Sequence, residues 1–157
     1  MTLLKFAAFA LTLLACSAAS AQEREKLHQV WLDSGFVTHH FQRDLDLNGN
    51  NPGLGVEYRF SDTMSLTAGR FYNSDREHSN YAGMYYQPWT VAGVKLGAVV
   101  GGFDGYPKMR EGGWFLALIP AATFEYKRVG VNIAVVPTYK DRLHGGISMQ
   151  LKFKLWE

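Results

Sequence analysis

The chain has 157 residues, about one domain's worth, with 16 Lys and Arg against 14 Asp and Glu. That near-balance lacks the basic excess of a nucleic-acid binder. The single Cys excludes an internal disulfide and a zinc site built on several cysteines. Beyond residue 21 no apolar run is long enough for a membrane-spanning helix.

The first 21 residues read as an export signal. A short n-region carries Lys5, residues 6–15 are apolar, and Ala19-Ser20-Ala21 has the small-x-small form of a cleavage site. Cleavage there leaves Gln22 to Glu157 as the mature domain. Leu13-Leu14-Ala15-Cys16 offers a competing site of lipobox type, with Cys16 lipidated. Either reading takes the protein out of the cytoplasm.

Residues 23–30 are compatible with a short N-terminal helical segment. From Trp31 onward, apolar residues recur at every second position, the period of a strand with two unlike faces. Eight strands are expected, over 30–41, 54–61, 65–73, 81–89, 95–103, 114–126, 130–139 and 146–156. The last is the clearest: Ile147, Met149, Leu151, Phe153 and Leu155 share one face, and Ser148, Gln150, Lys152 and Lys154 the other. The second alternates equally well, with Leu54, Val56, Tyr58 and Phe60 against Gly55, Glu57, Arg59 and Ser61.

A soluble β-sandwich or lipocalin-like barrel would turn the apolar faces inward; an outer-membrane barrel would turn them toward lipid. Three features favour the membrane form. The strand number is even. Connections alternate between long (41–53, 74–80, 104–113, 140–145) and short (62–63, 91–93, 127–128). Aromatic residues fall at strand ends, with Trp31, Trp89 and Trp156 at the short-turn rim and Phe41, Tyr72, Phe103, Trp114 and Tyr139 at the long-loop rim. The expected fold is therefore all-β, an eight-stranded antiparallel transmembrane β-barrel spanning 22–157, in a bacterial outer membrane.

With a periplasmic N-terminus, the first and third strands both end at the outer rim. His39-His40-Phe41 closes one and Tyr72-Asn73-Ser74-Asp75 the other. Two strands apart is about 10 Å, so an imidazole and a Ser hydroxyl can converge there, as acyl transfer requires. Pro120 and Pro137 lie inside the sixth and seventh strands, where proline cannot donate to the ladder. Pairing about the 127–128 turn sets 120 opposite 135 and 137 opposite 118. The two prolines then fall at one height and mark either a bulge or a lateral gap for a lipid chain. No spacing of His or carboxylates suggests a metal.

These motifs together resemble the outer-membrane lipid A palmitoyltransferases, the PagP family. Thr38-His39-His40 resembles the family's aromatic-His pair, which maps His40 onto its His, with His39 as the alternative. Asn51-Pro52-Gly53-Leu54-Gly55 resembles its entry to strand two. Phe71-Tyr72-Asn73-Ser74 resembles its Asp-Ser motif, with Asn73 in place of Asp. Ile119-Pro120-Ala121-Ala122 and Val136-Pro137-Thr138-Tyr139 resemble its paired prolines. The resemblance implies transfer of an acyl chain from a phospholipid donor to lipid A, by a monomer without a cofactor. His40 would be the general base, Ser74 the hydroxyl partner or nucleophile, and Asn73 the residue that orients His40. Gly69, Gly97 and Gly101 would make room for the chain, and Arg70, Arg76 and Lys108 would meet lipid A phosphates. Two other readings stay open. His78-Ser79-Asn80 is similar to a motif of outer-membrane lipid A deacylases, one residue short in spacing, and a non-enzymatic barrel for adhesion, exclusion or membrane integrity needs neither site.

Overall fold

The structure, a computed structural model, describes residues 27–157. The signal segment, Cys16 and most of the expected helical segment lie outside the described residues. Within that segment, 27 and 28 are irregular and the first strand starts at Gln29.

Eight strands follow: β1 (Gln29–His40), β2 (Asn50–Arg59), β3 (Met64–Tyr72), β4 (His78–Val91), β5 (Val94–Phe103), β6 (Phe115–Tyr126), β7 (Val129–Val136) and β8 (Gly146–Trp156). Each pairs antiparallel with the next, and β8 returns to β1 to close the barrel. The bounds of β8 match the alternation in the sequence residue for residue. β7 stops at Val136 rather than 139, because Pro137 has no N–H with which to continue a ladder. One short 3-10 turn, Arg110–Gly112, lies in the β5–β6 loop.

The apolar faces point outward. Leu54, Leu118, Leu151, Val129 and Phe124 are all exposed, whereas Asp33, Glu57, Thr123, Gln150 and Lys152 are buried. This is the inside-out pattern of a barrel that sits in a membrane, where the outer wall meets hydrocarbon and the lumen takes the polar groups. Trp89, Trp114, Tyr139 and Trp156 are exposed near the rims, as an aromatic girdle requires. Trp31 and Phe103 are not part of it: both turn into the lumen.

Eight strands leave a lumen wide enough only for side chains or one small ligand, and this lumen is divided. Its inner half is packed with ionic and amide groups. Lys152 Nζ lies 2.8 Å from Glu57 Oε2 and 2.8 Å from Glu125 Oε1. Arg59 bonds both carboxylates, and Lys95 adds a third cation to Glu125. Trp31 is buried here because its ring faces cations: Lys152, Lys154 and Arg59 stand 4.6, 5.2 and 5.9 Å from its centroid. Above them Asn132 bridges Thr123 and Gln150.

Two breaks in the ladder shape the outer half. In β1 the register shifts between Ser34 and Phe36, so Gly35 is an extra residue. Trp31 and Asp33 face the lumen below the bulge, and Phe36, Thr38 and His40 face it above. Without the bulge the odd-numbered residues would continue inward and His39 would take the place of His40. Only glycine fits at the bulge: a Cβ there would lie 2.2 Å from the Asn51 carbonyl oxygen and 2.3 Å from the Gly53 nitrogen.

The second break is a seam. The β6–β7 ladder runs from Tyr126↔Val129 to Ala121↔Ala134 and stops. β6 stays paired to β5 up to Phe115, and β7 to β8 up to Val136. Residues 115–120 of β6 therefore face β7 without ladder bonds. Continuing the register puts Pro120 opposite Val135 and Pro137 opposite Leu118, the heights expected from the turn. Gly35→Ala is expected to lower stability by about 2 kcal/mol or more, measured by urea unfolding of the barrel in lipid vesicles. A variant as stable as the parent would show that the bulge tolerates a side chain.

Candidate functional site

Above the polar plug the lumen opens into a cavity with aromatic and aliphatic walls. Phe36, Phe71, Tyr81 and Phe115 contribute rings, while Val99, Ala117, Ile119, Ala134 and Val136 give smaller apolar surface. Four of these, Ala117, Ile119, Ala134 and Val136, flank the β6–β7 seam, so the cavity lies directly behind the break in the ladder. The outer lip of the seam is bare: Leu116 and Leu118 are 83% and 66% exposed.

His40 and Ser74 stand at the outer mouth of this cavity. His40 Nε2 lies 2.7 Å from Ser74 Oγ, a distance at which the hydroxyl donates to an imidazole nitrogen that carries no proton. Two separate features bring them together. The Gly35 bulge turns His40 inward, and the end of β3 at Tyr72 lets the following turn fold Ser74 back over the lumen. His39 points outward and is exposed. Between the two histidines, the structure brings His40 to the serine.

Asn73 does not touch His40. It is fully buried, and its amide is saturated within the β3–β4 turn and the adjacent loop. Nδ2 donates to Ser79 Oγ at 2.8 Å and to the Gly105 carbonyl at 2.8 Å. Oδ1 accepts from the Asp75 and Glu77 amides. In this geometry Asn73 organises the turn that presents Ser74, rather than orienting the imidazole.

Two further residues bear on the mouth. His144 lines the cavity beside His40 because β8 closes on β1, with the Phe41 amide bonded to the Gly145 carbonyl. Asp75, next to Ser74, is close enough to His40 to act on it electrostatically. The signal for His144 was topological: barrel closure sets the residues before β8 beside the end of β1. Tyr106 in the β5–β6 loop also lines the mouth, edge-on to Phe115 at 5.8 Å, and burial pushes its phenol up.

The remaining expected positions separate. His78 is exposed on β4 and packs on Tyr72, while its neighbour Ser79 is buried and donates to the Asp104 carbonyl at 2.6 Å. Successive strand residues face opposite ways, so His78 and Ser79 do not converge. Gly69 gives its space to the Tyr81 ring, and Gly97 and Gly101 to the backbone of β4. None of the three opens a path for a ligand. Arg76 is ion-paired to Asp46 at 3.0 Å, Arg70 is exposed on the outer wall, and Lys108 shares a shallow loop hollow with Arg110 and Arg142. No cluster of three or more potential metal ligands occurs among the described residues.

No protein-family model and no curated protein matches the chain. Among solved structures it is similar to the solution NMR structure of the de novo designed protein TMB2.3, with a TM-score of 0.56 and 13% identity over 87% of this chain and 99% of that one. At that identity the likeness shows the fold: a closed eight-stranded antiparallel barrel.

Asn73→Asp is expected to destabilise the barrel by about 1–3 kcal/mol, because a carboxylate oxygen would replace the donor that faces Gly105 and Ser79. Denaturant unfolding followed by tryptophan fluorescence measures this. An unchanged midpoint would mean that the turn does not depend on the Asn73 amide.

Proposed function

We propose that this barrel is an outer-membrane acyltransferase that moves an acyl chain from a phospholipid to lipid A. The observation that carries the reading is the His40–Ser74 pair, 2.7 Å apart at the mouth of an apolar cavity that lies behind an unladdered seam in the barrel wall. Each part answers one need of the reaction. The outward apolar surface, and the likeness to a designed transmembrane barrel, support a place in a membrane. The motif resemblance to the PagP family supports the outer membrane and the lipid A acceptor.

In the proposed chemistry a phospholipid chain enters through the seam and lies in the cavity, with its ester carbonyl at the mouth. His40 Nε2 takes the Ser74 proton as Oγ attacks the carbonyl carbon. The lysophospholipid leaves with that proton, and the chain stays as an ester on Ser74. A lipid A hydroxyl then gives its proton to His40 and attacks the same carbon, and Ser74 Oγ leaves with that proton returned from His40, which restores the starting pair. Asn73 holds the turn, while Asp75 and His144 set the electrostatic surroundings of the imidazole. The reaction needs no cofactor.

Lipid A mass spectrometry from Gram-negative cells that express the chain tests this reading. The native protein should add the mass of one acyl chain. His40→Ala and Ser74→Ala should lower that product by about a hundredfold or more, and His39→Ala should retain it. Loss of an acyl chain instead would identify a deacylase, and an unchanged lipid A with the barrel folded in the membrane would favour a non-enzymatic role.

A second test addresses the seam. Pro120→Cys with Val135→Cys places two thiols opposite each other on β6 and β7. The oxidised variant should transfer no acyl chain and regain activity on reduction. Full activity with the disulfide intact would exclude the seam as the route of entry.

A further inference from the structure

The walls of the cavity are apolar, but its deep end is not. Tyr85 lines the cavity at 7% exposure, and its hydroxyl has no hydrogen-bond partner among the described residues. Thr67 lines the same end and donates to Asp33 Oδ2 over 3.4 Å. The other oxygen of that carboxylate, Oδ1, is buried without a partner. On the β3–β4 pair, Ser65 stands opposite Tyr85 and Thr67 opposite Gly83. Thr67 and Tyr85 are thus diagonal neighbours on the inward face, about 7–8 Å apart at the backbone. Gly83 places no side chain between them.

An aliphatic tail that reached this depth would cover the Tyr85 hydroxyl and leave it unpaired, which is unfavourable for any buried polar group. The cavity offers the complementary arrangement instead. The Tyr85 hydroxyl is free to donate. Thr67 Oγ1, whose proton is directed to Asp33, also lies against the Tyr81 hydroxyl, and its second lone pair is left to accept. A group that both donates and accepts satisfies the two together, and a hydroxyl does so. A carboxylate at the same point would itself be buried beside the carboxyl groups of Asp33 and Glu57, with no cation among the described residues that line the cavity base to pair it.

We propose that the cavity binds a long acyl chain that carries a hydroxyl at its buried end, held by Tyr85 and Thr67. The proposal takes from the acyl-transfer reading the identity of the chain's other end, which lies at Ser74. The polar base is independent of that reading.

Binding in detergent micelles tests it without relying on turnover. The probes are methyl hexadecanoate and methyl ω-hydroxyhexadecanoate, with the tetradecanoate pair as a length control, titrated by calorimetry into the refolded barrel. The hydroxylated ester should bind about tenfold tighter than its plain counterpart at one of the two lengths. Tyr85→Phe should abolish that difference without weakening the plain ester, and Thr67→Val should reduce it. Ser74→Ala should keep the preference, because the preference arises at the opposite end of the chain. Heat-modifiable migration on gels confirms that each variant is folded. Equal or weaker binding of the hydroxylated esters at both lengths, or a preference that survives Tyr85→Phe, would overturn this proposal and leave acyl transfer standing. Failure of all four esters to bind would remove the acyl-cavity reading together with it. Tight binding without transfer of any chain to lipid A would remove the reaction and leave the polar base.

Discussion

Backbone in lipid has no water to bond, so each strand of this barrel depends on its two neighbours for its N–H and C=O partners. That constraint makes the departures from regular pairing informative. At the β1 bulge the ladder is interrupted by one residue, and the consequence is a change in which side chains reach the lumen. At the β6–β7 seam the ladder ends early. There the two prolines remove donors that would otherwise lie unpaired against hydrocarbon, so the seam opens at a lower cost in unsatisfied N–H groups.

The lumen keeps those departures apart from what holds the barrel together. Its inner half is closed by Glu57, Glu125, Arg59, Lys95 and Lys152, drawn from β2, β5, β6 and β8. Charges buried at this depth are tolerated only when paired, and removal of one partner leaves another uncompensated. The plug therefore links strands that are not neighbours in the ladder. The outer half is left free for a cavity, a bulge and a seam. The His40–Ser74 pair sits at the mouth, apolar surface lies along the walls, and hydroxyl groups stand at the base.

Much of this was legible in the sequence because a strand repeats every two residues. Glu57 and Lys152 on one face of their strands, with Leu and Val on the other, announced the barrel. The two-residue turn at Lys127–Arg128 set the register of β6 against β7 and brought the prolines to one height. The site was less legible. Strand ends suggested that His40 and Ser74 could meet, whereas the family resemblance assigned Asn73 to orient the imidazole. Its four hydrogen bonds to Ser79, Gly105, Asp75 and Glu77 come from a turn and a neighbouring loop, which periodicity does not describe. Trp31 and Phe103 looked like rim aromatics because of their places along the strands. Whether such a ring meets lipid or lumen depends on the groups waiting inside, here three cations for Trp31 and the cavity for Phe103.

Alternation and turn chemistry by themselves determined the number of strands, their order and the side of the wall on which most residues lie, since those properties are local and repeat along the chain. Tertiary structure alone decided between His39 and His40. A bulge at Gly35 shifts the phase of everything after it, and its position is set by the close approach of Asn51 and Gly53 on the neighbouring strand. The same holds for the mouth of the cavity. His144 joins His40 only because β8 closes the barrel on β1, a contact between chain segments more than a hundred residues apart.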